Sequence, residues 1–179
     1  MVDLTPAELT ILGLVIERPR HGYDLERVIE ERGIRAWTEL GFSSIYYVLN
    51  KLQAKGYVAA EPGRSSRSRR VYTATAAGRQ SATQAVIAAI SDVTPLRPPL
   101  LAGLANLPLL TNSQVAAALD ERREQLDQRI RSVQAARQAQ QPLPPFVESI
   151  FEYSLSLLQA ERQWLDTSSP TGTRHDAED

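Results

Sequence analysis

The sequence predicts a mainly α, α+β fold in two parts: three helices, a β-hairpin and a fourth helix, then a second helical region. Three observations predict it. Apolar residues recur at helical spacing in three runs before residue 56 and in another after residue 75. Between those runs the pattern shortens to strand-like segments around a Pro62-Gly63-Arg64-Ser65-Ser66 turn. A proline-rich break from Pro95 to Pro108 then opens a region with seven-residue spacing.

The first helix starts at Thr5-Pro6-Ala7-Glu8. Thr5 caps, Pro6 suits the first turn, Glu8 completes a capping box, and Leu4 and Leu9 take the staple positions. Leu9, Leu12 and Ile16 follow at helical spacing, and Pro19 stops the helix. The second helix covers residues 22–32 with Leu25, Val28 and Ile29 as its apolar face and Gly33 as its C-terminal cap. The third follows Ser43-Ser44 and ends at Gly56. Ile45, Val48, Leu49 and Leu52 form its inward stripe; Tyr47, Asn50, Lys51 and Ala54 point outward, with Tyr46 on the flank. Residues 57–61 and 70–74 read as the strands of a hairpin with an arginine-rich tip. Thr75 caps a fourth helix running to about Asp92.

The connector 95–108 has room for one short helix. Ser113 is the expected cap of a long helix to about Gln140, in which Leu119, Leu126 and Val133 repeat every seven residues and Ala116 and Ile130 flank them. Arg123 and Arg137 interrupt that second seam. Pro142, Pro144 and Pro145 precede a last helix, Phe146 to about Asp166, carrying Val147, Ile150, Phe151, Leu157, Leu158, Trp164 and Leu165. Pairing with a second chain would bury this apolar surface. The expected domains are residues 1–80, residues 81–166 and a disordered tail, 167–179.

Composition limits the chemistry. The chain has 179 residues, no Cys, and His only at 21 and 175. Disulfides, thiolate metal sites and cysteine nucleophiles are excluded, and a His-based zinc site has too few ligands. No Ser/His/Asp arrangement or phosphate-cradling glycine loop is present, so neither an enzyme, a metal nor a cofactor is expected. The N-terminus lacks signal-peptide features, and the uncharged stretch 98–119 is broken by prolines and polar residues; a cytoplasmic chain without a membrane span is expected.

The net charge of −1 conceals its distribution. Residues 51–79 hold seven Lys and Arg against the single acid Glu61, a basic block offset by an acidic second half. A helix with a polar tyrosine–lysine face followed by a basic hairpin is the logic of an N-terminal winged helix-turn-helix with a C-terminal helical dimerisation domain. Such a helix reads base edges, here through Tyr47, Asn50 and Lys51, while Arg64, Arg67, Arg69 and Arg70 neutralise phosphate. Ser43 and Ser44 sit at the helix N-terminus, where free N–H groups favour phosphate. A solvated helix face and a solvated arginine loop are the competing readings.

Several blocks carry a resemblance. Thr5-Pro6-Ala7-Glu8-Leu9-Thr10-Ile11-Leu12, His21-Gly22-Tyr23-Asp24-Leu25, Ser43-Ser44-Ile45-Tyr46-Tyr47-Val48-Leu49-Asn50-Lys51-Leu52, Gly56-Tyr57-Val58 and Val71-Tyr72-Thr73-Ala74-Thr75-Ala76-Ala77-Gly78-Arg79 occur in the order seen in the PadR family of bacterial transcriptional regulators, which the chain resembles. The resemblance implies a dimeric winged-helix repressor with DNA contacts at Ser43, Ser44, Tyr46, Tyr47, Lys51 and the wing arginines. It looser extends to Glu161-Arg162-Gln163-Trp164-Leu165 near the end of the last helix.

The expected function is a homodimeric regulator of transcription, a repressor that binds double-stranded DNA at an inverted-repeat operator and is relieved by a small aromatic effector. The alternative is a winged-helix protein-interaction module without specific DNA binding. Phe151 and Trp164 are candidates for the effector pocket or, alternatively, the dimer core. Tyr46 either reaches phosphate or props the helix against the wing. Trp37 is read as core, Tyr23 as a structural aromatic and His21 as a turn residue.

Overall fold

In a computed structural model, residues 4–38, 40–41, 44–61, 70–95 and 97–167 are described, without the Ala36 side chain. The chain divides into two units, Met1–Thr94 and Pro95–Asp179.

The first unit begins with α1, Pro6–Glu17, capped as expected: Thr5 Oγ1 accepts the Glu8 N–H at 3.2 Å, and Glu8 Oε2 accepts the Thr5 N–H at 2.8 Å. Its end is locked by a residue the sequence did not single out. Arg20 is buried, and its Nε donates to the Leu14 carbonyl at 2.9 Å, satisfying an acceptor near the helix terminus. Arg20 also reaches Glu17 at 3.0 Å, and Arg32 donates twice to that carboxylate, at 2.8 and 3.0 Å. The Arg32 hydrogen bonds, against the opposing effect of burial, hold the Glu17 carboxyl below its ordinary range.

Arg20 and His21 form a short strand, β1, which was not expected. It leads directly into α2, Gly22–Glu31. Gly33 adopts the left-handed conformation (φ 61°) that favours glycine, and a 3₁₀ turn, Ile34–Ala36, buries Ile34. The third helix, α3, spans Ser44–Ala54 with Ile45, Val48, Leu49 and Leu52 buried, the stripe that its spacing predicted. Gly56 (φ 73°) turns the chain into β2, Val58–Glu61. With β3, Val71–Ala74, it forms the expected antiparallel hairpin, Val58 opposite Ala74 and Glu61 opposite Val71. Strand β1 pairs with the other edge of β3, giving the order β1-β3-β2 among the described residues.

Helix α4, Ala76–Ser91, is capped by Thr75, whose Oγ1 accepts the Gly78 N–H at 3.0 Å and donates to the Gly56 carbonyl at 2.8 Å. The contact is so close that a Cβ on Gly78 would lie 2.1 Å from the Tyr57 carbonyl oxygen. One core joins these elements: Ile11, Leu12 and Val15 from α1, Leu25 and Ile29 from α2, the α3 stripe, Val58, Tyr72 and Ala82. Trp37 does not join it. Expected in the core, it is 48% exposed, because the 3₁₀ turn directs Ile34 inward and leaves Trp37 beside Leu4, Leu9, Ala85 and Ala88 in an open groove. Tyr23, also read as structural, is exposed.

In the second unit the connector holds a short helix, α5, Pro99–Ala105, and a 3₁₀ turn, Leu107–Leu109. The long helix α6, Asn112–Ala139, starts two residues earlier than expected. Thr111, not Ser113, is its cap, because Gln114 stands three residues on and returns the reciprocal bond to the Thr111 N–H at 2.9 Å. Helix α7, Pro145–Thr167, runs back along α6 as an antiparallel partner. Val115, Leu126, Leu155 and Leu165 are buried in this unit. Among the described residues no helix is long and apolar enough to cross a membrane.

Candidate nucleic-acid interface

Helix α3 turns one face to its core and the other to solvent, and the outer face is where the expected DNA contacts lie. Tyr47 is 63% exposed, with Asn50 and Lys51 exposed one turn further on. The Lys51 ammonium lies 5.6 Å from the centre of the Tyr47 ring, within cation–π range. The helix thus presents a phenol, an amide and an ammonium side by side, a mixed donor and acceptor set suited to base edges.

Tyr46 points differently. A Cβ on Gly22 would fall 2.6 Å from Tyr46 Cε1, so the ring rests against the first turn of α2. The ring therefore packs against α2. Half its surface remains exposed. A larger residue at position 22 would make the Tyr46 ring shift.

Ser44 is the first residue of α3, and its hydroxyl donates to the Gly41 carbonyl at 2.6 Å, so its lone pairs remain for other partners. Arg70 is exposed immediately before β3. Its carbonyl lies 3.1 Å from His21 Nδ1, a bond that requires the Nδ1–H tautomer and ties the base of the hairpin to the start of α2. Ser43, Arg64, Arg67 and Arg69 lie outside the described residues.

One acid was missing from the sequence-based charge count. Glu8 belongs to α1, far from the basic window in the chain, yet its carboxylate lies beneath α3. Its Oε1 is 3.1 Å from Lys55 Nζ and 3.5 Å from Lys51 Nζ, and its side chain is 2% exposed. Oε2 accepts hydrogen bonds from Lys55 at 3.2 Å and from the Thr5 N–H. Burial pushes this carboxyl upward, but the Thr5 N–H, Lys55 and Lys51 together outweigh burial and hold it below its ordinary value. The basic window therefore overstates the free charge of α3. The capping box disclosed one role of Glu8; no local pattern discloses the second.

The effector candidates are both half-buried on α7. They are thirteen residues apart on one unbroken helix, hence about 20 Å along its axis and on different faces. A single chain does not bring them around one small ligand.

Residues 11–84 match the transcriptional regulator PadR-like family. No curated protein matches the chain. Among solved structures, PadR of Bacillus subtilis in complex with operator DNA superposes with a TM-score of 0.71 at 17% identity, covering 91% of this chain and 96% of that one. The same protein in complex with p-coumaric acid gives 0.71 at 17% identity, with 92% and 95% covered. The virulence activator AphA of Vibrio cholerae gives 0.69 at 21% identity, with 89% and 93% covered. These likenesses show the fold, a winged helix-turn-helix followed by a helical region.

Proposed function

From the match of residues 11–84 to the PadR-like family of transcriptional regulators, we propose that the chain acts as a homodimeric repressor. It binds double-stranded DNA at an inverted-repeat operator and is released by a small aromatic effector. The observation that carries the DNA reading is the solvent-facing side of α3, with Tyr47, Asn50 and Lys51 together beside a hairpin whose connecting segment supplies Arg64, Arg67 and Arg69. In this reading Ser43 and Ser44 receive phosphate at the helix N-terminus, Tyr46 braces α3 and lends its hydroxyl to the backbone, and Arg70 continues the wing. Residues 1–80 form the DNA-binding domain and residues 81–166 the dimerisation domain. It is not an enzyme, and it works in the cytoplasm, where bacterial DNA lies.

The dimer is supported by α7. Phe146, Ile150, Tyr153, Leu157, Ala160 and Trp164 follow one another at alternate steps of four and three, the spacing of a coiled-coil seam. Tyr153 is 66% exposed and Phe146 68%, while the opposite face of the same helix buries Leu155. Pairing with a second copy would cover that stripe and bring the aromatics of two chains together, which one chain does not do. The repressor direction and effector relief rest on family resemblance, and Phe151 and Trp164 are the proposed effector contacts.

The test is duplex binding as a function of salt. Several arginine–phosphate contacts require affinity to fall steeply as salt rises. Ala at Arg67 or Arg69 should weaken binding to all sequences and flatten the slope, while Ala at Tyr47 should change preference at defined positions. Absence of duplex binding at low salt, or an affinity indifferent to salt, favours instead the protein-interaction module.

A further inference from the structure

Lys51 lies on helix α3 and Lys55 just past its end, and the DNA-binding reading assigns a contact to Lys51. Lysine is ordinarily a mobile point charge on a flexible four-carbon stem. Lys51 is held on two sides, by the buried Glu8 Oε1 at 3.5 Å and by the Tyr47 ring at 5.6 Å. Glu8 itself has little freedom, because the Thr5 N–H and Lys55 fix its other oxygen. Its Oε1 is buried and accepts no hydrogen bond among the described residues, and it lies within ion-pair distance of both ammonium groups. The Lys51 side chain nevertheless remains 44% exposed on the reading face. Its charge is opposed from beneath by the Glu8 carboxylate.

We propose that Glu8 is a positioning residue of the reading helix. It anchors the Lys51 ammonium so that Lys51 serves as a fixed donor to base edges and not as a mobile phosphate counterion. A neutralised cation contributes little to counterion release, while a fixed donor discriminates among base-edge acceptors. The carboxylate of α1 thereby exchanges general affinity for selectivity. This inference rests on the DNA-binding reading above.

The experiment measures affinity across 50–200 mM salt for two probes of equal length: the tightest duplex selected by the wild-type full chain from a randomised pool, and a mixed-sequence duplex. Glu8→Gln should bind the mixed-sequence duplex more tightly at low salt. Its log–log salt slope should steepen by about 0.9, which is about 3.5-fold additional loss over that range. Its preference for the selected duplex should fall. Lys51→Ala should lose selectivity yet keep the wild-type slope on mixed sequence, and the double variant should return to that slope. An unchanged slope in folded Glu8→Gln overturns the inference. If Glu8→Gln does not fold, by far-ultraviolet circular dichroism, Lys51→Ala alone decides: a slope shallower by about 0.9 shows a free phosphate counterion and overturns it. A wild-type chain that binds neither probe at low salt removes the DNA reading itself, and this proposal with it.

Discussion

At the scale of single residues, buried groups with demanding surroundings govern the first unit. Glu8 is 1% exposed, and its carboxyl is held below its ordinary value of 4.5 by the Thr5 N–H, Lys55 and Lys51 despite burial. A carboxyl depressed in the folded state contributes stability that is complete above its unfolded value and is lost as pH falls through its folded value. Glu8→Gln should therefore be less stable than wild type at pH 7, by about 1–3 kcal/mol for a buried group losing charged partners. The deficit should shrink from about pH 4.5 downward, which urea denaturation at pH 7 and pH 3 compares directly. A deficit of equal size at both values would detach the carboxylate charge from the effect. Gly78 makes a different demand. The Tyr57 oxygen is backbone and cannot turn aside as a side chain would, so Gly78→Ala must separate α4 from the β2 turn. Its expected cost is about 1–3 kcal/mol, even though alanine is the better helix former, and the same denaturation assay reads its sign.

At the scale of elements, the signals that were legible in the sequence are the local ones. Thr5 with Glu8, Thr75 with Gly78, and Gly33 and Gly56 act within a turn of themselves, and α1, α2, α3 and α4 begin and end where they indicate. Strand β1 was not legible, because two residues have no period and their partners, Tyr72 and Val71, lie some fifty positions away. A serine beside a helical run satisfies the cap rule at Ser113, whereas the reciprocal Gln114 bond selects Thr111. Thr111→Ala should accordingly destabilise α6 by about 0.5–2 kcal/mol, and Ser113→Ala should change thermal unfolding little. The arginines that interrupt the α6 seam have a tertiary purpose. Arg137 pairs with Glu148 and Arg123 approaches Asp166 at 3.6 Å; Arg122 with Glu161 and Arg162 with Asp127 add two more bridges between α6 and α7. A pattern on one helix shows such residues as defects, since the complementary acid belongs to another helix. The outer face of α3 was legible as a face, but the carboxylate beneath it was not, for the same reason.

At the scale of the whole molecule, the apolar stripe of α7 decides whether the proposed operator reading is available at all. A lone winged helix engages one half-site, and an inverted repeat requires two such helices about one helical turn, or a multiple of it, apart. Linkage through the proposed dimer would make the second engagement intramolecular, which typically raises affinity about 10²–10⁴-fold without any new DNA contact. Leu157→Glu places a charge at the middle of the stripe, where pairing would desolvate it, and Leu157 is 44% exposed in the single chain, so the fold of one chain tolerates the change. The variant should sediment as a monomer at concentrations where the wild type is a dimer, with unchanged helical content by circular dichroism. It should lose about 10²-fold or more in affinity for a two-half-site duplex while keeping wild-type affinity for a single half-site. Glu at Ser156, an exposed neighbour off the stripe, should leave both the mass and the affinity unchanged. A Leu157→Glu chain that stays dimeric would move the interface to another face of the second unit. Loss of half-site binding together with the dimer would instead show that assembly shapes α3 itself, so the two affinities separate linkage from folding.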